Sequence, residues 1–152
     1  VADAVTAAVP TPEPTAAPPR RALPEAIETR QALQAALDQV IGERRVEFAS
    51  GSDVVDPSSY ALLDEVADVL RRAPNFRIEV QGHTDNVGNP TANLDMSARR
   101  AASVARYLAA HGVRYRRILT LGHGAERPIA DNATEEGRHR NRRIRFLVLG
   151  GL

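Results

Sequence analysis

The segment FRIEVQGHTDNVGNP (residues 76–90) is the part of the 152-residue sequence that most clearly sets the fold. Its first six residues alternate apolar and polar side chains, with Phe76, Ile78 and Val80 on the apolar side. This two-residue period predicts a β-strand with one buried face. The strand leads into a loop that contains His83 and Asp85, so the loop is a candidate for binding a metal, a phosphate or an organic ligand.

Helix and strand patterns alternate on both sides of this segment. Residues 45–48 have the pattern of a short strand, and Asp56-Pro57 provides an N-cap and a first-turn proline for an amphipathic helix through residue 72. A second helix is predicted from residue 93 to residue 111, with Gly112 as its C-terminal stop.

Two further strands are predicted at residues 118–121 and 144–149, with a short helical turn from Thr134 to Arg140 between them. The resulting order βαβαβ(α)β predicts an α/β fold, or α+β if helices and strands are segregated. In either case we expect a sheet with helices packed on one side.

The chain divides into three parts on composition. Residues 1–22 are rich in proline and alanine and have no apolar period, which predicts a disordered linker. Residues 23–42 are predicted to contain an accessory amphipathic helix, with an apolar period from Pro24 to Ile41 and an end at Gly42. Residues 43–152 then form the main domain.

Composition excludes several classes of function. The net charge of +1 argues against a general nucleic-acid binder, although the part from Gly112 onward has nine arginines and four acidic residues and is suited to an anionic partner. The absence of cysteine excludes disulfides and thiolate chemistry. No apolar run approaches the roughly 18–20 residues of a membrane-spanning helix.

Catalytic and metal-binding patterns are also weak. The sequence has no G-x-S-x-G nucleophile motif and no phosphate-binding G-x-x-x-x-G-K-[ST] motif. His83, Asp85 and His123 are a conceivable metal set, but a histidine at a strand end more often bonds to the backbone. We therefore expect no enzyme activity, no cofactor and no metal.

Arg100 is the residue of the second long helix that most needs an explanation. Helical periodicity places it on the flank of the apolar stripe formed by Ala101, Val104 and Leu108. A desolvated guanidinium needs an anion, and Asp85 is the nearest candidate in sequence. Two interpretations are open: an internal salt bridge, or a receptor whose two charges hold opposite ends of a zwitterion such as an amino acid.

The spacing of these residues resembles the OmpA-like peptidoglycan-binding domain family, which includes the C-terminal domain of outer membrane protein A, the peptidoglycan-associated lipoprotein and flagellar stator proteins. The resemblance covers residues 46–149 and keeps the family's spacing. It is carried by Thr84-Asp85, Met96-Ser97, Arg100-Ala101, Val104, Leu108 and Asn141-Arg142-Arg143-Ile144.

The resemblance implies noncovalent binding of peptidoglycan through the diaminopimelate of the stem peptide. Asp85 is then expected to receive the ammonium of diaminopimelate and Arg100 its carboxylate. The other site residues implied are Thr84, Asn93, Val104 and Arg142 in the pocket, and Ser50 and Gly51 at its rim.

The resemblance also implies a location and partners. The expected location is the periplasm, with an attachment to a membrane anchor upstream of Val1, so that the membrane is reached only through a segment absent from this chain. Peptidoglycan is the expected partner and nucleic acid is not. The alternative is a structural domain that forms a homodimer or docks a protein, with Asp85 and Arg100 paired to each other.

Overall fold

The computed structural model describes residues 27–152, which form four α-helices and three β-strands. The helices are α1 (Arg30–Ile41), α2 (Tyr60–Arg71), α3 (Pro90–Ala110) and α4 (Glu135–Asn141). The strands are β1 (Phe76–His83), β2 (Ile118–Gly124) and β3 (Arg143–Gly151). Single 3₁₀ turns, Pro57–Ser59 and Tyr115–Arg117, precede α2 and β2.

The sheet is mixed, with β1 at its centre in the order β2-β1-β3. Strand β1 is parallel to β2 and antiparallel to β3, so that Val80 lies beside Thr120 and Phe146. The fold is therefore α+β, one of the two expected forms.

One face of the sheet and the three longest helices share a single apolar core, as expected. Leu119 and Leu121 lie on the opposite face of the sheet and are exposed. The side chains that fill the core include Leu33 and Leu37 of α1, Leu63, Val66 and Leu70 of α2, Val104 and Leu108 of α3, and Ile78, Val80, Phe146 and Val148 of the sheet.

The strand predicted at residues 45–48 is wrong: this segment makes only an isolated antiparallel bridge between Phe48 and Val55. The free edge of β3 is instead bonded to the Gln34 side chain of α1. Gln34 Nε2 donates to the carbonyl of Phe146 (3.0 Å) and Gln34 Oε1 accepts from the amide of Val148 (2.8 Å). Because a primary amide offers the same donor and acceptor as a peptide group, Gln34 takes the place of a neighbouring strand.

Helix α1 starts later than predicted. It begins after Thr29, whose hydroxyl accepts from the amide of Ala32 (3.0 Å), and it ends at Gly42 as expected. Residues 27–29 are not helical, while residues 24–26 of the predicted helix and the predicted linker at residues 1–22 lie outside the described residues. Leu33 and Leu37 are fully buried, so α1 is part of the domain core rather than an appendage.

The cap residues explain where the other helices begin. Helix α3 starts three residues before the predicted position, because the Asn89 side chain accepts from the amides of Thr91 and Ala92 and Pro90 occupies the first position. Thr134 caps α4 as expected, by accepting from the amide of Gly137 (2.9 Å).

Helix α3 lies unusually close to the sheet at two glycines. A Cβ atom on Gly82 would lie 2.1 Å from the carbonyl oxygen of Ser97, and one on Gly122 would lie 2.4 Å from the amide of Ala98. Any side chain at these positions would push the helix away. Gly82 and Gly122 therefore allow close packing of α3 against the sheet.

Arg117 is a buried arginine for which the sequence suggested no role. It is 2% exposed and donates to three backbone carbonyls: Phe76 (2.8 Å), Leu70 (2.9 Å) and Ala73 (2.6 Å). These carbonyls belong to the end of α2, the following turn and the start of β1. A single guanidinium thus joins the end of α2 to the start of the central strand.

Replacing Arg117 by methionine should strongly destabilise the protein. The apolar stem is retained, but three buried carbonyls lose their donor, and we expect the free energy of unfolding to fall by about 3 kcal/mol or more. Urea denaturation followed by circular dichroism measures the change. Arg116→Met, at an exposed position next to it, is the matched control. Equal losses in the two variants would contradict a structural role for Arg117.

Candidate functional site

A cleft of about 380 Å³ lies between the segment after α1, helices α3 and α4, and the start of β3. Four arginines line it: Arg45, Arg100, Arg142 and Arg143. Among the acidic residues of the described chain, Glu47 alone contributes to the lining. The cleft is therefore strongly cationic and suited to an anionic group.

Half of the predicted site residues lie in this cleft. Arg100, Arg142, Ser50 and Gly51 line it, and Gly51 has a left-handed backbone (φ 65°). The remaining predicted residues, Thr84, Asp85, Asn93 and Val104, do not line the cleft.

Arg100 is half-buried and has no acidic partner within the described part of the chain. Its Nε donates to the carbonyl of Ser52 (2.9 Å), and its guanidinium lies 4.9 Å from the centre of the Phe48 ring. Within residues 27–152, no carboxylate oxygen lies within 4.0 Å of it. Burial, followed by the nearby charge of Arg142, lowers the pKa of Arg100. Its two terminal nitrogens remain available to a ligand.

Asp85 pairs with Arg142 and not with Arg100. Its Oδ2 accepts from Arg142 Nη1 (2.6 Å) and its Oδ1 accepts from the amide of Val87 (3.0 Å). The internal Asp85–Arg100 salt bridge, one of the two interpretations of the sequence, is therefore wrong. Arg142 is 57 residues away in sequence, so helical periodicity gave no indication of this pairing.

Arg142 is held by a second acidic residue as well. Its Nη2 donates to Glu135 Oε1 (2.8 Å), at the exposed start of α4. The hydrogen bond to Glu135, together with that to Asp85, raises the pKa of Arg142. Of the four cleft arginines, Arg142 is thus the one whose charge is fully compensated by carboxylates.

Three of the predicted contact residues, Thr84, Asn93 and Val104, make contacts inside the domain. The Thr84 hydroxyl donates to the carbonyl of Asp85 (2.8 Å), and Asn93 Nδ2 donates to the carbonyl of Val87 (2.9 Å). Both bonds hold the loop that carries Asp85. Val104 is fully buried in the apolar core.

Asn141 belongs to the Asn-Arg-Arg motif, but the sequence did not suggest its role. It is fully buried, and its Oδ1 accepts from the amides of Ile129 (2.7 Å) and Ala130 (2.9 Å). Its Nδ2 donates to the carbonyl of Ala130 (3.0 Å) and to Asn132 Oδ1 (2.8 Å). Asn141 thus anchors the preceding loop to α4 and fixes the backbone just before Arg142.

Asn141→Ala should destabilise the protein through this loop. The substitution removes four hydrogen bonds made by a fully buried side chain, and we expect a loss of about 3 kcal/mol in the free energy of unfolding. Thermal and urea denaturation measure it. Asn75→Ala, at an exposed position, is the control and should have little effect. A loss no larger than that of the control would disprove the anchoring role.

His83 and His123 form a stacked pair of buried imidazoles, with ring centres 4.9 Å apart. His83 Nε2 lies 3.3 Å from Gln81 Oε1, while His83 Nδ1 and His123 Nε2 have no hydrogen-bond partner among the residues that the structure describes. In residues 27–152, no group of three histidine or acidic side chains is placed to hold a metal. Burial, followed by the nearby charge of Arg143, lowers the pKa of His83 to about 3.

The low pKa of His83 predicts a loss of stability in mild acid. Below about pH 6.5, histidine takes up a proton in the unfolded chain, whereas folded His83 stays neutral until about pH 3. The contribution of His83 to stability is therefore fully present above pH 6.5 and decreases as the pH falls toward 3.

Comparison with the His83→Phe variant separates the contribution of His83 to the pH dependence of stability from the contribution of the carboxylates. Between pH 7.5 and pH 5, wild-type protein should lose about 2 kcal/mol more unfolding free energy than the variant. Urea denaturation at each pH gives the two slopes. Parallel slopes would show that His83 titrates normally in the folded state.

A family model described as "OmpA family" matches residues 47–142 of the chain. "Peptidoglycan-binding protein ArfA" of Mycobacterium tuberculosis is 42% identical over 116 residues, which are 76% of this chain and 35% of that protein. The chain thus spans about a third of the length of that curated relative. No helix within residues 27–152 is long and apolar enough to cross a membrane.

Two solved structures share this fold. "The cell wall anchor of the T6SS from Pseudomonas aeruginosa" has a TM-score of 0.67 and 30% identity, covering 81% of this chain and 99% of that chain. The "peptidoglycan-associated lipoprotein from Burkholderia pseudomallei" has a TM-score of 0.64 and 31% identity, covering 70% of this chain and 92% of that chain.

Proposed function

This chain belongs to the OmpA family, and we propose that it binds peptidoglycan noncovalently through the diaminopimelate of the stem peptide. In this proposal the domain is a binding module without enzyme activity, and it anchors an envelope protein to the cell wall in the periplasm. Its similarity to a peptidoglycan-binding protein and to a cell wall anchor supports this assignment.

Arg100 is the observation that carries the proposal. A half-buried guanidinium with no carboxylate partner among the described residues lies in a cleft with room for a small ligand. Its Nε is fixed by Ser52 and its plane is packed near Phe48, so the terminal nitrogens are held in one orientation. A fixed guanidinium binds a carboxylate through two parallel hydrogen bonds, and we assign it the carboxylate of diaminopimelate.

Asp85 is assigned the ammonium group of diaminopimelate. A carboxylate has about four acceptor positions, and the bonds from Arg142 and Val87 use two of them. Asp85 therefore keeps acceptor capacity while Arg142 stays in place. Its side chain is 12% exposed, so an ammonium has access only to its edge.

The other predicted residues either form the cleft wall or hold the binding residues in position in this proposal. Arg142 and the backbone at Ser50 and Gly51 complete the cleft wall. Thr84 and Asn93 act by holding the Asp85 loop in position rather than by direct contact. Val104 lies on the buried face of α3 and helps to hold this helix, which also carries Arg100, against the core.

Anchoring does not require a tight single site. A small zwitterion buries little surface, so we expect weak binding of free diaminopimelate. The cell wall repeats the same group many times, and several domains held on one assembly would engage it together. Retention on the wall then comes from the number of contacts.

Arg100→Gln and Asp85→Asn should each weaken diaminopimelate binding about 10- to 100-fold, because each removes one charge-assisted hydrogen-bonding group. Chemical-shift titration with meso-diaminopimelate measures the affinity, and co-sedimentation with purified sacculi measures wall binding. Circular dichroism checks that the variants fold. Arg99→Gln is the matched control, since Arg99 is the exposed neighbour that pairs with Asp95 (3.1 Å).

Unchanged sacculus binding by both folded variants would overturn the proposed function. Loss of binding in the Arg99 control would also count against it, since that result indicates a general dependence on positive charge.

A further inference from the structure

We infer that the cleft recognises a carboxylate of the stem peptide outside diaminopimelate, the α-carboxylate of the glutamyl residue before it, and that Arg45 and Arg143 bind it. This inference rests on the proposed function, because it specifies which part of the peptide lies next to diaminopimelate. It makes the preferred ligand the peptide rather than free diaminopimelate, although diaminopimelate itself has two carboxylates.

The charges in the cleft exceed what one ligand carboxylate compensates. Of the four arginines, Arg142 is paired with Asp85 and Glu135. Arg45 has Glu47 only at 4.0 Å. Arg100 and Arg143 have no carboxylate within 4.0 Å in residues 27–152. If Arg100 takes the carboxylate of diaminopimelate, Arg143 and Arg45 still share a surplus positive charge.

Arg143 is half-buried with only neutral partners. Its Nη1 donates to the carbonyl of Asn141 (3.1 Å) and its Nη2 to the carbonyl of Arg127 (3.0 Å). Arg45 likewise donates to the carbonyls of His139 and Arg142. Carbonyls satisfy the geometry of a guanidinium but do not neutralise its charge.

Arg45 and Arg143 are also close enough to repel each other. Burial lowers the pKa of Arg143 first, and the charges of Arg145 and Arg45 lower it further. Burial is likewise the main cause of the lowered pKa of Arg45. An anion bound beside both arginines would relieve this repulsion, whereas a neutral ligand would not.

Arg45 also keeps an unused hydrogen-bond donor. It lines the cleft, and among residues 27–152 its buried Nε has no hydrogen-bond partner. A ligand oxygen would accept from this Nε–H.

Arg100 cannot bind the carboxylate that we assign to Arg45 and Arg143. It lies on α3 and is held by Ser52 and Phe48, whereas Arg143 lies on β3 and is held by Asn141 and Arg127. The two guanidiniums are fixed by separate segments. The cleft therefore has two cationic positions, one at Arg100 and one at Arg45 and Arg143.

The test compares two synthetic tripeptides that differ in one group. One is L-alanyl-γ-D-glutamyl-meso-diaminopimelate, whose glutamyl residue keeps a free α-carboxylate, and the other has that carboxylate as a carboxamide. Chemical-shift titration of the folded domain gives both affinities. We expect the free acid to bind about tenfold more tightly than the amide, since the amide loses one charge-assisted interaction.

Arg143→Gln should bring this ratio close to one. Arg45→Gln is the second variant and should reduce the ratio in the same direction. Arg140→Gln is the matched control: Arg140 is exposed on α4 and does not line the cleft, so the ratio should stay near ten.

The wild-type comparison tests the inference even if a variant fails to fold. Equal affinity of wild-type protein for the two tripeptides would overturn the second carboxylate site and leave the proposed function standing. An Arg140→Gln variant that also loses the preference would overturn it, because the effect would then be general electrostatics. If neither tripeptide nor diaminopimelate causes shifts, the proposed function itself fails, and the inference fails with it.

Discussion

The geometry of the site depends on the direct contact between the backbone of α3 and the sheet. Gly82 and Gly122 have no side chain, so the helix packs against the strands at the distance of backbone atoms. Ser97 secures this contact, because its hydroxyl donates to the carbonyl of Leu94 (2.8 Å) and accepts from the amide of Gly124 (2.9 Å). Arg100 follows one turn later in the helix, so its place in the cleft is set by this contact.

Arg117 and Arg100 show that burial of an arginine does not by itself indicate that the arginine binds a ligand. Arg117 uses all three of its nitrogens on carbonyls in a closed part of the core, and nothing remains for a ligand. Arg100 uses only Nε and faces a cleft. The pKa of each is lowered chiefly by burial, so the difference lies in unused donors and access.

Asp85 and its neighbours show how the domain accommodates a nearly buried carboxylate next to a cleft arginine. An isolated carboxylate at 12% exposure would be costly, and Arg142 compensates it while Glu135 compensates Arg142. This alternation of charge holds the loop after β1 against the end of α4. The cleft thus combines one compensated ion pair with arginines whose charge is not compensated, and that surplus gives it a preference for anions.

The sequence alone determined which residues form the helices and most of the sheet, since caps, apolar periods and glycine stops are local properties. It also placed Arg100 at the edge of a buried stripe and identified the family's spacing. Only the tertiary structure decided that Asp85 pairs with Arg142, that Gln34 replaces a strand beside β3, and that Arg117 and Asn141 bind distant carbonyls and amides. The physical reason is that periodicity specifies which face of an element is buried, whereas the partner of a buried polar group comes from whichever distant segment the packing brings within hydrogen-bonding distance.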